Sequence, residues 1–127
     1  MANGLTVTAQ MNEIMDNYSE AARRAVDESA KEAANVSMNQ LRNTSPKRTG
    51  KYARSWTVKK ETHGRVSDYI VHNTKHYQLT HLLENGHVIK NKSGTYGRTH
   101  PIKHIAPAED TGIQRFELAA RTRLGRL

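Results

Sequence analysis

The chain has 127 residues and a mass of 14.3 kDa, a length suited to one domain, and carries a formal charge of +8. Leu, Ile, Val and Phe make up only about 17% of it and its mean hydropathy is −0.81, which implies a thin core and a disordered chain as the alternative. The absence of cysteine excludes a disulfide framework and a Cys-based zinc site. No apolar run approaches the ~20 residues of a membrane span, and Met1–Leu5 is unlike a signal peptide, so a cytoplasm, or a particle assembled there, is the expected compartment.

Disorder is argued against by the grouping of apolar residues into periodic segments between turn signals. The first segment predicts a long amphipathic helix over residues 6–43. Its apolar stripe is Val7, Met11, Ile14, Met15, Tyr18, Ala22, Val26, Ala33, Val36 and Leu41, interrupted around Ser29. Glu13, Asp16, Glu20, Arg24, Asp27, Lys31 and Glu32 occupy the opposite side. Thr6 or Thr8 suits its N-cap, and Ser45-Pro46 ends it because the residue before proline is pushed out of helical space. A basic loop and a helical turn follow over Pro46–Ser55.

Trp56–Lys60 alternates as a half-buried strand does, Thr62-His63-Gly64 turns, and Arg65–Asn73 returns, which predicts an antiparallel hairpin. His76–Asn85 reads as a short helix with Tyr77, Leu79, Leu82 and Leu83 on its apolar side and Gly86 just past its end. Val88-Ile89 and the Tyr96 region flank the polar segment Asn91–Gly94 as a weaker hairpin. After an extended connection, Pro107 opens a last helix over 107–124. Glu109 and Asp110 stand near its positive end, and its stripe is Ile113, Phe116, Ala120, Leu124 and Leu127. The expected fold is α+β: one domain over 1–127, with the long N-terminal helix and the C-terminal helix packed on a small antiparallel sheet region at 56–105.

Reactive chemistry finds little support. His76, His81 and His87 are five and six apart, not the three or four of one helical face, and Pro101 breaks the spacing of His100 and His104. There is no HExxH, no GxSxG and no phosphate-binding glycine loop. No catalytic, cofactor-binding or metal-binding residue is assigned, and no enzyme activity or cofactor is expected.

Charge is distributed unevenly. Residues 1–44 carry net −2 and residues 45–127 net +10. Lys47, Arg48, Lys51, Arg54, Lys59 and Lys60 fall within fourteen residues, interleaved with Tyr52 and Trp56. This arrangement supports an alternative function as a basic, non-enzymatic nucleic-acid-binding protein held mainly by phosphate contacts, with the aromatic rings available for stacking.

From Pro46 onward the sequence resembles a known family. Pro46, Thr49, Gly50, Tyr52 and Ser55 fit the Pro-x-x-Thr-Gly-x-[Leu/Tyr]-x-x-Ser frame that follows the long helix in minor tail-component proteins of long-tailed bacteriophages. Tyr77, Leu82, Glu84 and Gly86 resemble that family's aromatic, helical turn and Glu-x-Gly step, and Ile105-Ala106-Pro107-Ala108 its entry into the C-terminal helix. Arg48 stands where the family often has Asp, and Asn91–Thr99 has no counterpart. The resemblance implies a structural virion protein at the head-to-tail junction, either a neck or a tail-completion (terminator) subunit. It further implies a homo-oligomeric ring, a hexamer by tail symmetry, between the head-closure or connector proteins and the tail tube, with transient contact to phage DNA in the lumen and none to a membrane. On that reading Thr49, Gly50, Ser55, Glu84, Gly86 and Pro107 shape turns, while Lys90, Lys92 and Arg98, together with Lys47, Arg48 and Lys51, form a contact loop or face DNA.

Overall fold

A computed structural model describes residues 7–91 and 94–127. In chain order the elements are α1 (Val7–Thr44), α2 (Lys51–Arg54), β1 (Trp56–His63), β2 (Val66–Asn73), α3 (Leu79–Asn85), β3 (Val88–Asn91), β4 (Gly94–Arg98) and α4 (Ile105–Leu124). The fold is α+β, as expected. The strands form two separate antiparallel hairpins: β1–β2 in continuous register from Trp56↔Asn73 to His63↔Val66, and β3–β4 with an irregularity between Val88 and Lys90.

α1 runs 38 residues without a glycine or proline, about 57 Å at 1.5 Å per residue. Thr6 lies outside the described residues, and Thr8 already stands within the helix rather than at its cap. At the other end Ser45 N–H closes on the Leu41 carbonyl at 2.9 Å before Pro46 turns the chain away. α3 starts at Leu79, later than the expected His76, while α4 starts at Ile105, so Pro107 falls inside its first turn.

The buried side of α1 differs from the expected stripe. Ala25, Ser29, Ala33, Ser37 and Leu41 recur every four residues and face inward with Ala34, whereas Val7, Met11, Ile14, Met15 and Tyr18 stand 57–72% exposed. Of the expected stripe Ala33 and Leu41 are buried, but hydrophobicity missed Ala25, Ser29, Ala34 and Ser37 because the contact with α4 selects for size. α4 presents Ala108, Gly112, Ala119 and Ala120, so the two backbones approach closely, and Ser29, an apparent interruption in the sequence, sits fully buried on this face. Its hydroxyl is satisfied locally by the Ala25 carbonyl at 2.7 Å. Ile113 and Leu127, expected on the inner stripe of α4, are about half exposed, and Leu118 more so.

Polar contacts lock the helix pair. The Ser37 hydroxyl donates to the Ala108 carbonyl at 2.8 Å. Arg123 reaches Ser29 Oγ at 3.1 Å, Glu32 at 3.0 Å and Glu28 at 3.6 Å, and Arg115 lies 3.7 Å from Glu32. Tyr69 ties the first hairpin to α1 by donating to Asp27 at 2.9 Å. The aromatic core lies at the C-terminal end of α1, where Leu41, Tyr52, Trp56 and Ala108 pack with Met38, Val71, Leu83 and Ile105.

A Cβ at Gly112 would lie 2.2 Å from Ser37 Oγ, and Ser37 is held by its bond to Ala108. Gly112→Ala is therefore expected to lower the thermal midpoint despite the ~1 kcal/mol gain in helix propensity. In a Ser37→Ala background the same change should become neutral or stabilising. A thermal-unfolding double-mutant cycle measures this coupling.

Candidate functional site

A dense polar network joins α3 to the start of α4. Glu84, 8% exposed on α3, turns its carboxylate to the first backbone N–H groups of α4. Oε1 accepts from His104 N at 2.7 Å and Ile105 N at 2.9 Å, and Oε2 accepts from Ala106 N at 3.1 Å. These are orphan donors that a helix N-terminus leaves unpaired, and a negative charge also complements the helix dipole there. The expected partners of that dipole, Glu109 and Asp110, lie beyond the first turn. Burial raises the affinity of the Glu84 carboxyl for its proton. The three N–H bonds, with His104 nearby, outweigh that effect and hold the group below the ordinary value of 4.5.

His104, the residue just before α4, is fully buried, and both ring nitrogens are used. Nδ1 lies 2.7 Å from the Ile102 carbonyl and 3.0 Å from Glu84 Oε1, so it faces acceptors and carries the hydrogen. Nε2 then accepts from the Tyr52 hydroxyl at 2.8 Å. Burial, then the charge of Glu84, pushes the Tyr52 phenol up to about 12, so it stays a donor. Tyr52, Trp56 and His104 meet edge-on, with ring centroids 5.7–6.4 Å apart. Trp56 is anchored by its Nε1–H on Ser45 Oγ at 2.8 Å. In the sequence His104 was set aside because Pro101 breaks its spacing from His100, and its actual partners Tyr52 and Glu84 lie far off in the chain.

The Thr-Gly turn stands beside this network. Gly50 enters α2 at φ +81°, a left-handed conformation that L side chains rarely adopt. Thr49 Oγ1 accepts from Lys51 N at 3.4 Å, and Ser55 Oγ donates to the Lys51 carbonyl at 2.7 Å, closing the turn into β1. Gly86 has a stricter requirement: at φ +74° a Cβ would lie 2.5 Å from the Thr99 carbonyl oxygen, which is backbone and cannot step aside. Between the turn and α3 opens a cleft of about 320 Å³, with Tyr52, Leu79 and Leu83 among its apolar walls and Arg48, Lys51 and His76 among its polar ones.

A profile of the family described as "Bacteriophage HK97-gp10, putative tail-component" matches residues 9–86, more than half of the chain. The chain belongs to this family. No curated protein and no solved structure matches it. The match to the HK97-gp10-like family takes in α1, the Thr-Gly turn, the first hairpin and α3, and ends at Gly86. Glu84 therefore lies within the family region, while the N–H groups it binds lie beyond it. Pro107 also lies beyond it. Membership makes the protein a structural component of a phage tail, and so of the virion.

The basic residues singled out in the sequence fall into separate groups. Lys47, Arg48 and Lys51 are exposed around the cleft, and Lys47 Nζ donates to the Asn43 carbonyl at 3.0 Å. Lys59 and Lys60 lie on β1, where Lys59 pairs with Glu61 at 3.2 Å and Lys60 covers the Tyr69 ring. Arg98 is exposed on β4, with a long 3.5 Å contact to the Asn85 carbonyl. Lys92 and the side chain of Lys90 lie outside what the structure describes. Trp56 and Tyr52, considered for base stacking, are 4% and 7% exposed and belong to the core. Among the described residues no three His, Asp or Glu side chains converge as metal ligands, and no helix is long and apolar enough to cross a membrane.

Glu84→Gln removes the charge and turns an amide N–H₂ group toward backbone donors. It is expected to cost about 2–3 kcal/mol in denaturant unfolding, the scale of hydrogen bonds to a buried charged group. Because the Glu84 carboxyl is held below 4.5 in the fold, its stabilisation is complete above that pH and is lost as pH falls through the folded value. Wild type should thus lose stability below pH 4.5 more steeply than Glu84→Gln, as followed by circular dichroism. Tyr52→Phe leaves His104 Nε2 without its donor and should lower stability by about 1–3 kcal/mol with little change in volume.

Proposed function

We propose that this tail component is a ring-forming subunit of the head-to-tail junction, a neck or tail-completion protein, made of identical copies between the connector and the tail tube. One observation carries the reading: the fold leaves apolar side chains uncovered on two unlike surfaces. One is the N-terminal half of α1, from Val7 to Tyr18. The other surrounds α3 and the second hairpin, where Tyr77, Leu79, Leu82, Val88, Ile89 and Ile102 are 38–64% exposed. Two different sticky surfaces on one subunit favour head-to-tail contact, which closes into a ring when the rotation between neighbours divides a full turn. Hexameric closure would match the symmetry of a tail. Folding of a chain with so thin a core also gains from assembly by mass action.

The exposed cations Lys47, Arg48, Lys51 and Arg98 suit transient contact with DNA passing through such a ring. The alternative, a free nucleic-acid-binding protein, keeps this phosphate-binding surface but loses its stacking residues to the core. Light scattering with and without short duplex DNA at low salt separates the two. The ring reading expects a discrete oligomer without DNA; a monomer that changes mass only with DNA overturns it in favour of the alternative. An amber mutant of the gene is expected to accumulate unjoined heads and tails, as seen by electron microscopy.

A further inference from the structure

The two uncovered surfaces are complementary in chemistry as well as unlike in shape. Between Val7 and Ala22, α1 carries Glu13, Asp16 and Glu20 and no Lys or Arg, so this half-helix has a net charge of −3. At 100° per residue, Met11, Ile14, Met15 and Tyr18 share one side, and the three carboxylates project from the other. The cleft beside the Thr-Gly turn has the matching features. Leu79, Leu83 and Tyr52 offer it an apolar surface, Arg48 and Lys51 stand exposed at its edge, and none of the residues lining it is acidic. Its 320 Å³ has room for a large side chain. An acidic amphipathic helix with bulky apolar anchors fits such a groove, and this chain contains one.

The groove cannot be filled by the helix of the same copy. The cleft begins at Pro46, immediately after α1, and Tyr18 lies 28 residues earlier on the same unbroken helix, about 42 Å away along its axis. No glycine or proline lets α1 fold back. The free half is also longer than its own stability explains, since an isolated helical segment of this length is marginal in water.

We propose that Met11, Ile14, Met15 and Tyr18 of one copy dock into the cleft between the Thr-Gly turn and α3 of the next copy. The proposal rests on the ring-forming reading and names the contact that builds the ring. Donor and acceptor surfaces differ and lie at opposite ends of α1, so the contact is heterologous and each copy gives one and takes one. The carboxylates face away from the apolar floor. They act with the surrounding cations by steering and by local potential rather than as buried pairs, so association weakens with salt.

The cysteine-free chain permits a direct test. Met15→Cys and Leu79→Cys, each made singly and mixed under mild oxidation, are expected to give a disulfide-linked dimer that neither variant gives alone. Ile14→Asp with Met15→Asp, both at exposed positions, should stay folded by circular dichroism and melt as dilute, dissociated wild type does, but lose the oligomer in light scattering. Arg48→Glu should weaken association by at least about tenfold. An oligomer that survives the Asp substitutions and gives no mixed dimer overturns the docking proposal and leaves the ring reading intact. Preferential linkage of Met15→Cys to itself overturns it in favour of a symmetric helix pair. A wild-type protein that stays monomeric at every concentration removes the ring reading, and the docking proposal with it.

Discussion

The carboxylate of Glu84 receives the His104, Ile105 and Ala106 N–H groups at the point where the last helix begins, and the placement of α4 depends on that exchange. Beside the aromatic core the His104 N–H is buried and the Ile105 and Ala106 N–H groups are part-buried, and an unpaired buried N–H is costly. One side chain from α3 resolves the problem and supplies charge where the helix dipole favours it. The same carboxylate faces His104 Nδ1, which fixes the ring so that Nε2 can receive the Tyr52 hydroxyl. In this way the Thr-Gly turn, α3 and the last helix are held in one arrangement by a chain of directional bonds rather than by bulk.

That economy of bulk recurs along α1. Ala25, Ser29, Ala33 and Ser37 meet Ala108, Gly112 and Ala119, so backbone proximity and dispersion replace the large side chains that the composition lacks. Ion pairs from Arg115 and Arg123 bracket the contact. The larger apolar residues are thereby left for the surface. In a lone globular protein such residues would be a liability; on the proposed ring reading they are the material of assembly. Along this helix pair small residues face inward while Met11, Ile14, Met15 and Tyr18 face outward, which fits a subunit completed by its neighbours.

Much of the architecture was legible in the residues. The Ser45-Pro46 stop, the alternation of Trp56–Lys60, the turn at Gly64 and the Glu-x-Gly step gave the order and type of the elements, because capping, pleat and turn chemistry are local. The Thr-Gly turn was legible too, since φ of +81° at Gly50 is what a glycine after Thr49 permits. The partner of Glu84 was not legible. Nothing local connects position 84 to the amides of positions 104–106, and the usual dipole reading pointed to Glu109 and Asp110 instead.

The sequence by itself determined the α+β order of elements, the family to which the chain belongs and the absence of thiol chemistry, because each rests on short-range pattern or on composition. Only the tertiary structure decided which side of each helix is buried. It moved Ser29 from an interruption to the centre of a contact and moved Met11, Ile14 and Tyr18 from an expected core to the outside. Periodicity reports that a helix has an apolar side, but not how closely its neighbour comes or how far along the helix that neighbour extends. Those depend on side-chain size at both surfaces and on where α4 is pinned, quantities that exist only once the chain has folded.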